Sequence, residues 1–200
     1  MKNFLSRLLF IVANGPKYLL NWSLMRIFKF DAWHVSTVAS RPYCVDLANY
    51  INNNISINHT VVEVGCGLGE TLASIKCMHR YGIDTSKEVL NAAKLKHLFR
   101  RIEFIEGSFD AVQNMEIDYL IAANFLHDFS SEQVQKWIAG ILSNNHVKNI
   151  ILDELSDHNY FCLHNWDSIL PREYKLNNFI DNNYTYGRVI KIFSLTADNE

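Results

Sequence analysis

The residues with the plainest chemical purpose are Glu63, Gly65, Gly67, Gly69 and Asp84. Glu63 lies inside a β-branched apolar run at 61–64, where a carboxylate is costly unless it is hydrogen-bonded. The free amides of a glycine turn and a cationic ligand are its natural partners, so the pattern argues for a bound cation. Three glycines at alternate positions allow a sharp turn, a close approach of backbone amides to a ligand, and tight packing of the next element against the sheet. Asp84 ends the next strand-like run, about 20 residues after the first glycine, the offset at which an acid meets ribose hydroxyls.

Those residues need particular elements to hold them. The run at 61–64 reads as a strand. Leu68, Leu72 and Ile75 recur at helical spacing, which predicts a helix whose N-terminal amides face the ligand. A second strand at 78–83 comes next, and Thr85 with Glu88 forms a capping box for a helix through Val89, Leu90 and Ala93. A third strand is expected at 102–105 and a fourth, buried by composition, at 117–123, with Asn124, Phe125, Leu126, His127 and Asp128 at its carboxyl end, where open α/β sheets place their ligands. Ser130 and Gln133 form another capping box, opening a helix through Val134, Trp137, Ile138 and Ile141. A fifth strand at 149–152 and two closing strands within 172–180 and 189–195 complete the pattern, without an internal repeat.

Glu70 stands where a dinucleotide-binding G-x-G-x-x-G would place its third glycine, which weakens a nicotinamide reading. An acid, then G-x-G-x-G, then an acid ending the next strand resembles the class I S-adenosylmethionine-dependent methyltransferases. That resemblance covers residues 55–195 in motif order. It implies an α/β fold, a doubly wound, mostly parallel seven-stranded sheet of Rossmann-like methyltransferase type with helices on both faces. It also implies S-adenosylmethionine as cofactor, held by Glu63, Gly65, Gly67, Gly69, Asp84, Ser108, Phe109 and Asn124. Ser108 stands at the family's usual adenine-binding aspartate, with Asp110 as the alternative acceptor and Phe109 placed to pack on the ring. The resemblance would bring Trp33, His34, Arg41 and Tyr43 over the methionyl or acceptor end of the pocket, the other reading being core packing. The N-x-L-H form at Asn124 lacks both prolines of N-P-P-Y, which removes the main argument for methylating a nucleic-acid base amine.

Methyl transfer from a sulfonium has a neutral leaving group, so alignment supplies most of the rate, about 7 to 11 kcal/mol against about 3 to 5 for one general base. An alcohol acceptor still benefits from a base, and His127 and His164 are the candidates. Asp153, Glu154, Asp157 and His158 could form a hard-metal site, but Asn124 stands where a catechol-type magnesium enzyme needs a carboxylate, so no metal is expected. The segment at 164–171 is similar to methyltransferases associated with surface-glycan synthesis. The expected acceptor is therefore a small molecule or glycan, at a hydroxyl oxygen. The rival readings are a non-catalytic S-adenosylmethionine-binding partner subunit and a nicotinamide-dependent oxidoreductase.

With 200 residues, 48% hydrophobic and 20% charged, the chain suits an ordinary globular protein. The expected division is a helical extension over 1–52, broken at Gly15 and Pro16, and a cofactor-binding domain over 53–200. Four cysteines without a C-x-x-C pair suggest neither a disulfide framework nor a zinc site and fit a reducing, cytoplasmic setting. The apolar segment at 4–12 is interrupted by Arg7 and is too short to span a bilayer. Residues 1–30 carry five cations and no acid, leaving 14 basic against 21 acidic residues elsewhere. That asymmetry argues against a nucleic-acid surface and allows a peripheral membrane contact through residues 1–30. Oligomeric state is not legible.

Overall fold

A computed structural model describes the chain over residues 2–156 and 162–196, with side chains from Asn14 onward. Seven strands form one sheet: β1 (Thr60–Val64), β2 (His79–Asp84), β3 (Glu103–Glu106), β4 (Glu116–Ala122), β5 (His146–Glu154), β6 (Tyr174–Ile180) and β7 (Val189–Leu195). Their order is β3-β2-β1-β4-β5-β7-β6. The first five are mutually parallel, and β7 runs antiparallel to both β5 and β6. The doubly wound sheet expected from the sequence is thus borne out, with its switch of direction between β1 and β4, where such sheets place ligands.

Alternation along the strands sends neighbours to opposite faces. Val61 and Ile121 join one apolar core with α2 (Pro42–Asn54) and α3 (Lys87–Lys96). Val62, Val64 and Leu120 join the other with α4 (Ser131–Asn144) and α5 (Trp166–Ile169). Leu24, Phe30, Leu47 and Ile51 belong to the first of these cores, so the expected helical extension completes the core of the cofactor-binding part.

Three local expectations are corrected. The helix predicted after the glycine turn is reduced to a single 3-10 turn, Leu72–Ser74, and Ile75 is already extended. The helix after β2 is capped one residue late: the Ser86 hydroxyl accepts the Val89 N–H, and Thr85 is left to border a cleft at the sheet's carboxyl edge. The chain is not broken at Gly15 and Pro16, because α1 runs through them from Lys2–Phe28. A proline inside a helix removes one hydrogen bond, and α1 is anchored further on, where the buried Asn21 amide donates to the Val35 carbonyl and the Glu70 carboxylate, each at 3.0 Å.

Candidate active site

All three glycines of the turn have positive φ, +71° at Gly65, +52° at Gly67 and +68° at Gly69. A Cβ at Gly65 would lie 2.7 Å from the Phe125 ring, and one at Gly67 would lie 2.9 Å from His34 Nδ1, so backbone strain and close packing both exclude side chains here. The turn is tied to the next strand. Gly67 N–H donates to Asp84 Oδ2 and Ser86 N–H to Asp84 Oδ1, both at 2.9 Å.

A cleft of about 720 Å³ opens at the carboxyl ends of the central strands. Six of the residues singled out from the sequence border it: Glu63, Gly65, Gly67, Asp84, Ser108 and Asn124. Trp33, His34, Arg41 and Tyr43 border it too, Trp33 stacked on His34 with centroids 3.6 Å apart. Two residues fall outside its lining. Gly69 serves packing, since a Cβ there would stand 2.7 Å from Phe104 on β3. Phe109 is buried in the core and stacks on Trp137 at 5.7 Å. Its large apolar ring gains more by burial than at a solvent-facing wall. The aromatic wall is made instead by Phe125, Phe129 and Trp137. Position at the end of the fourth strand was the available signal for Phe125 and Phe129. Trp137 had only its place in a helical stripe.

Glu63 is not held by the amides of the glycine turn, as its sequence context suggested. Thr71 and the Leu72 backbone are its hydrogen-bond partners, and Oε2 remains buried with no partner. Burial pushes its carboxyl up to about 7, against the opposing pull of Thr71, Arg41 and the Leu72 amide. Across the same cleft, Arg41 Nε is also buried without a partner. Burial works against the Arg41 charge, but neighbouring Cys44, Tyr43, Glu63 and Glu70 outweigh it and raise its pKa. One cleft therefore presents an unpaired carboxylate oxygen and an unpaired guanidinium nitrogen, a complement to the ammonium and carboxylate of an amino acid.

The floor is fixed by a second network. Asn124 has φ +73°, and its N–H donates to Asp153 Oδ1 at 2.9 Å. Asp153 is ion-paired with Arg188, whose guanidinium lies 4.5 Å over the Tyr43 ring. A positive φ is costly for a residue with a Cβ, and this buried chain of contacts holds Asn124 in it.

Comparison with known proteins agrees with this geometry. Residues 61–144 match the family model of a methyltransferase domain. That stretch carries the methyltransferase-domain match, and the fold is the one seen in solved methyltransferases. In fold it is similar to the N-methyltransferase NodS from Bradyrhizobium japonicum WM9 in complex with S-adenosyl-L-homocysteine, at TM-score 0.70 and 13% identity over 89% of this chain and 99% of that one. It is similar to the magnesium protoporphyrin IX methyltransferase ChlM from Synechocystis PCC 6803 with bound S-adenosylmethionine, at TM-score 0.66 and 14% identity over 88% and 91%. The methyltransferase domain of bacterial CtHen1-C gives 0.63 and 16% over 78% and 97%. No curated protein matches the chain in sequence.

The two histidines proposed as bases lie in different settings, and neither borders the cleft. His164 is outside the cleft lining, and both its ring nitrogens are engaged. Nε2 meets the Leu126 carbonyl, which can only accept, so Nε2 carries the proton; Nδ1 faces the Ser131 hydroxyl, both at 2.9 Å. That is a bracket between α4 and the loop after β4. His127 lies 3.8 Å from Asp128, which borders the cleft. Burial lowers the His127 pKa, more than the Asp128 carboxylate restores it. Among the described residues no group of three or more His, Cys, Asp or Glu side chains is arranged to hold a metal ion. Asp153 is taken by Arg188, and Glu154 pairs with Lys191 at 2.6 Å; Asp157 and His158 lie outside the described residues.

Proposed function

We propose that this chain is an S-adenosylmethionine-dependent methyltransferase acting on a small-molecule or glycan acceptor, at a hydroxyl oxygen. The donor is S-adenosylmethionine, which supplies an electrophilic methyl on a sulfonium. The observation that carries its placement is the pair of orphaned polar atoms, Glu63 Oε2 and Arg41 Nε, beside the glycine turn and Asp84. Glu63 and Arg41 would hold the amino-acid end, and Asp84, whose oxygens each have one lone pair committed to a backbone amide, has capacity left for ribose hydroxyls. Ser108 and Asn124 would border the base.

For the acceptor, the support is the cleft mouth. Trp33, Phe129 and Trp137 offer flat apolar faces beside the Asp128 carboxylate, a combination that suits a ring-shaped polyol, with C–H faces on the rings and hydroxyls toward the acid. His127, kept neutral by burial, stands behind Asp128 to receive the proton or to hold that acid in place. Outside residues 1–30 the acids outnumber the cations, which favours a small acceptor over nucleic acid.

The test is incubation with methyl-labelled S-adenosylmethionine and a panel of sugar, alcohol, amine and RNA acceptors, with the product located by mass spectrometry and NMR. A methyl on a hydroxyl oxygen is expected. Methylation confined to a nitrogen or to RNA would overturn the acceptor reading while leaving the donor intact. Calorimetry with S-adenosyl-L-homocysteine tests the donor site separately.

A further inference from the structure

Two segments far apart in sequence are rich in positive charge. Residues 1–30 and 94–101 together hold nine of the nineteen Lys and Arg residues and no acid, leaving ten cations against twenty-one acids in the rest of the chain. The fold brings them together: α1 packs on α3, Lys96 reaches Asn21 and Glu70, and Lys17 is close enough to Lys96 to disfavour its charge.

The same two segments expose large apolar side chains. On α1, Asn21 and Leu24 face the body, while Leu19 (63% exposed), Trp22 (42%) and Ile27 (68%) face solvent. Arg26 lies 4.5 Å over the Trp22 ring. In the turn after α3, Leu98 (68%) and Phe99 (98%) project outward beside Arg100 and Arg101. Scattered exposed apolar residues are ordinary, but interfacial aromatics among cations, on two segments that carry no acid of their own, match a surface that rests in a lipid headgroup layer. Among the described residues no helix is long and apolar enough to cross a membrane, so the geometry is that of lying on a bilayer.

We infer that the outward face of α1 and the turn at 97–101 form one docking surface for an anionic lipid bilayer. The cations supply long-range attraction, and Leu19, Trp22, Ile27, Leu98 and Phe99 enter the headgroup region. α1 ends at Phe28, and Trp33 and His34 border the cleft only a few residues later, so docking would bring a bilayer to the part of the chain that covers the methyl-donor cleft.

The experiment is flotation of the full chain with phosphatidylcholine vesicles, with and without phosphatidylglycerol, at low and high salt. Binding to the anionic vesicles alone, weakened by salt and accompanied by a blue shift of tryptophan emission, is expected. Each surface cation is worth about fivefold in partitioning, so neutralising two of them, Lys17→Gln with Arg26→Gln, should lower it about 25-fold. Phe99→Ser on the other element should weaken it independently, and Leu19→Glu with Ile27→Glu should abolish it. Unchanged S-adenosyl-L-homocysteine affinity in these variants shows that they are folded. Equal binding to both vesicle types, no binding, binding indifferent to the variants, or a protein dimer that buries this face in place of lipid would each overturn the inference.

Discussion

Gly67 N–H donates to the Asp84 carboxylate at 2.9 Å, so the acid ending β2 and the glycine turn after β1 are one unit within the fold. The turn gives Asp84 its orientation, and Asp84 gives the turn an acceptor for a buried amide. Removing the carboxylate therefore acts twice.

Asp84→Ala is expected to weaken S-adenosyl-L-homocysteine binding by about one to three factors of ten, since charge-assisted hydrogen bonds are worth about 1.5 to 3 kcal/mol. Titration calorimetry measures it. Wild-type affinity in the variant would remove Asp84 from the donor site.

Glu63 makes the protein pH-dependent in two ways. Its folded pKa, about 7, exceeds the ordinary 4.5, so between those values the folded state holds more protons and stability falls as pH rises, by about 3 kcal/mol in all. A bound ammonium favours the ionised carboxylate, so donor binding releases a proton and tightens as pH rises, by up to about tenfold per unit, levelling above pH 7. Calorimetry in two buffers of different ionisation enthalpy should register the proton, and Glu63→Gln should flatten the profile.

Gly65→Ala should cost about 1 to 3 kcal/mol of stability through its φ of +71° and the overlap with Phe125. Gly140 on α4 is the control. A Cβ there meets nothing within 4 Å, so Gly140→Ala should raise stability by about 1 kcal/mol. Thermal melts of the pair with equal outcomes would contradict the turn geometry.

His164→Phe should lose about 1 to 2 kcal/mol, because the Leu126 carbonyl keeps only the Phe129 N–H and the Ser131 hydroxyl loses its partner, yet keep turnover per folded molecule. Under the proposed function, His127→Gln lowers kcat and shifts its acid limb. A kcat loss of that kind in His164→Phe would return His164 to the reacting centre.

The sheet and the cofactor turn were legible because their signals are local. β-branched runs, glycines with positive φ and an acid at a strand end each carry their own physical cause. The missing helix after the turn was not legible, because it is decided by distance. β1 ends at the carboxyl edge of the sheet and β2 starts at the opposite edge, ~17–20 Å away for strands of this length. The eight residues from Thr71 to Met78 would span only ~12 Å as an α-helix, so the chain uses one 3-10 turn and then extends. The late cap at Ser86 has a similar origin, since Asp84 takes the Ser86 N–H before the helix starts. Phe109 and His164 were misplaced because their partners, Trp137, Leu126 and Ser131, come from elsewhere in the chain. Arg41 and Glu63 border one cleft from distant parts of the chain, which is why their joint role was not legible either.

Asn21 gives α1 a mechanical role. Its side chain grips the Val35 carbonyl, Glu70 and Lys96 at once, so the helix cannot slide or tilt without pulling on the residue directly after Gly69. Load applied to α1 is transmitted to the end of the glycine turn and to Val35, next to the cleft-lining His34, with little slack, as through a stiff lever hinged on a single amide.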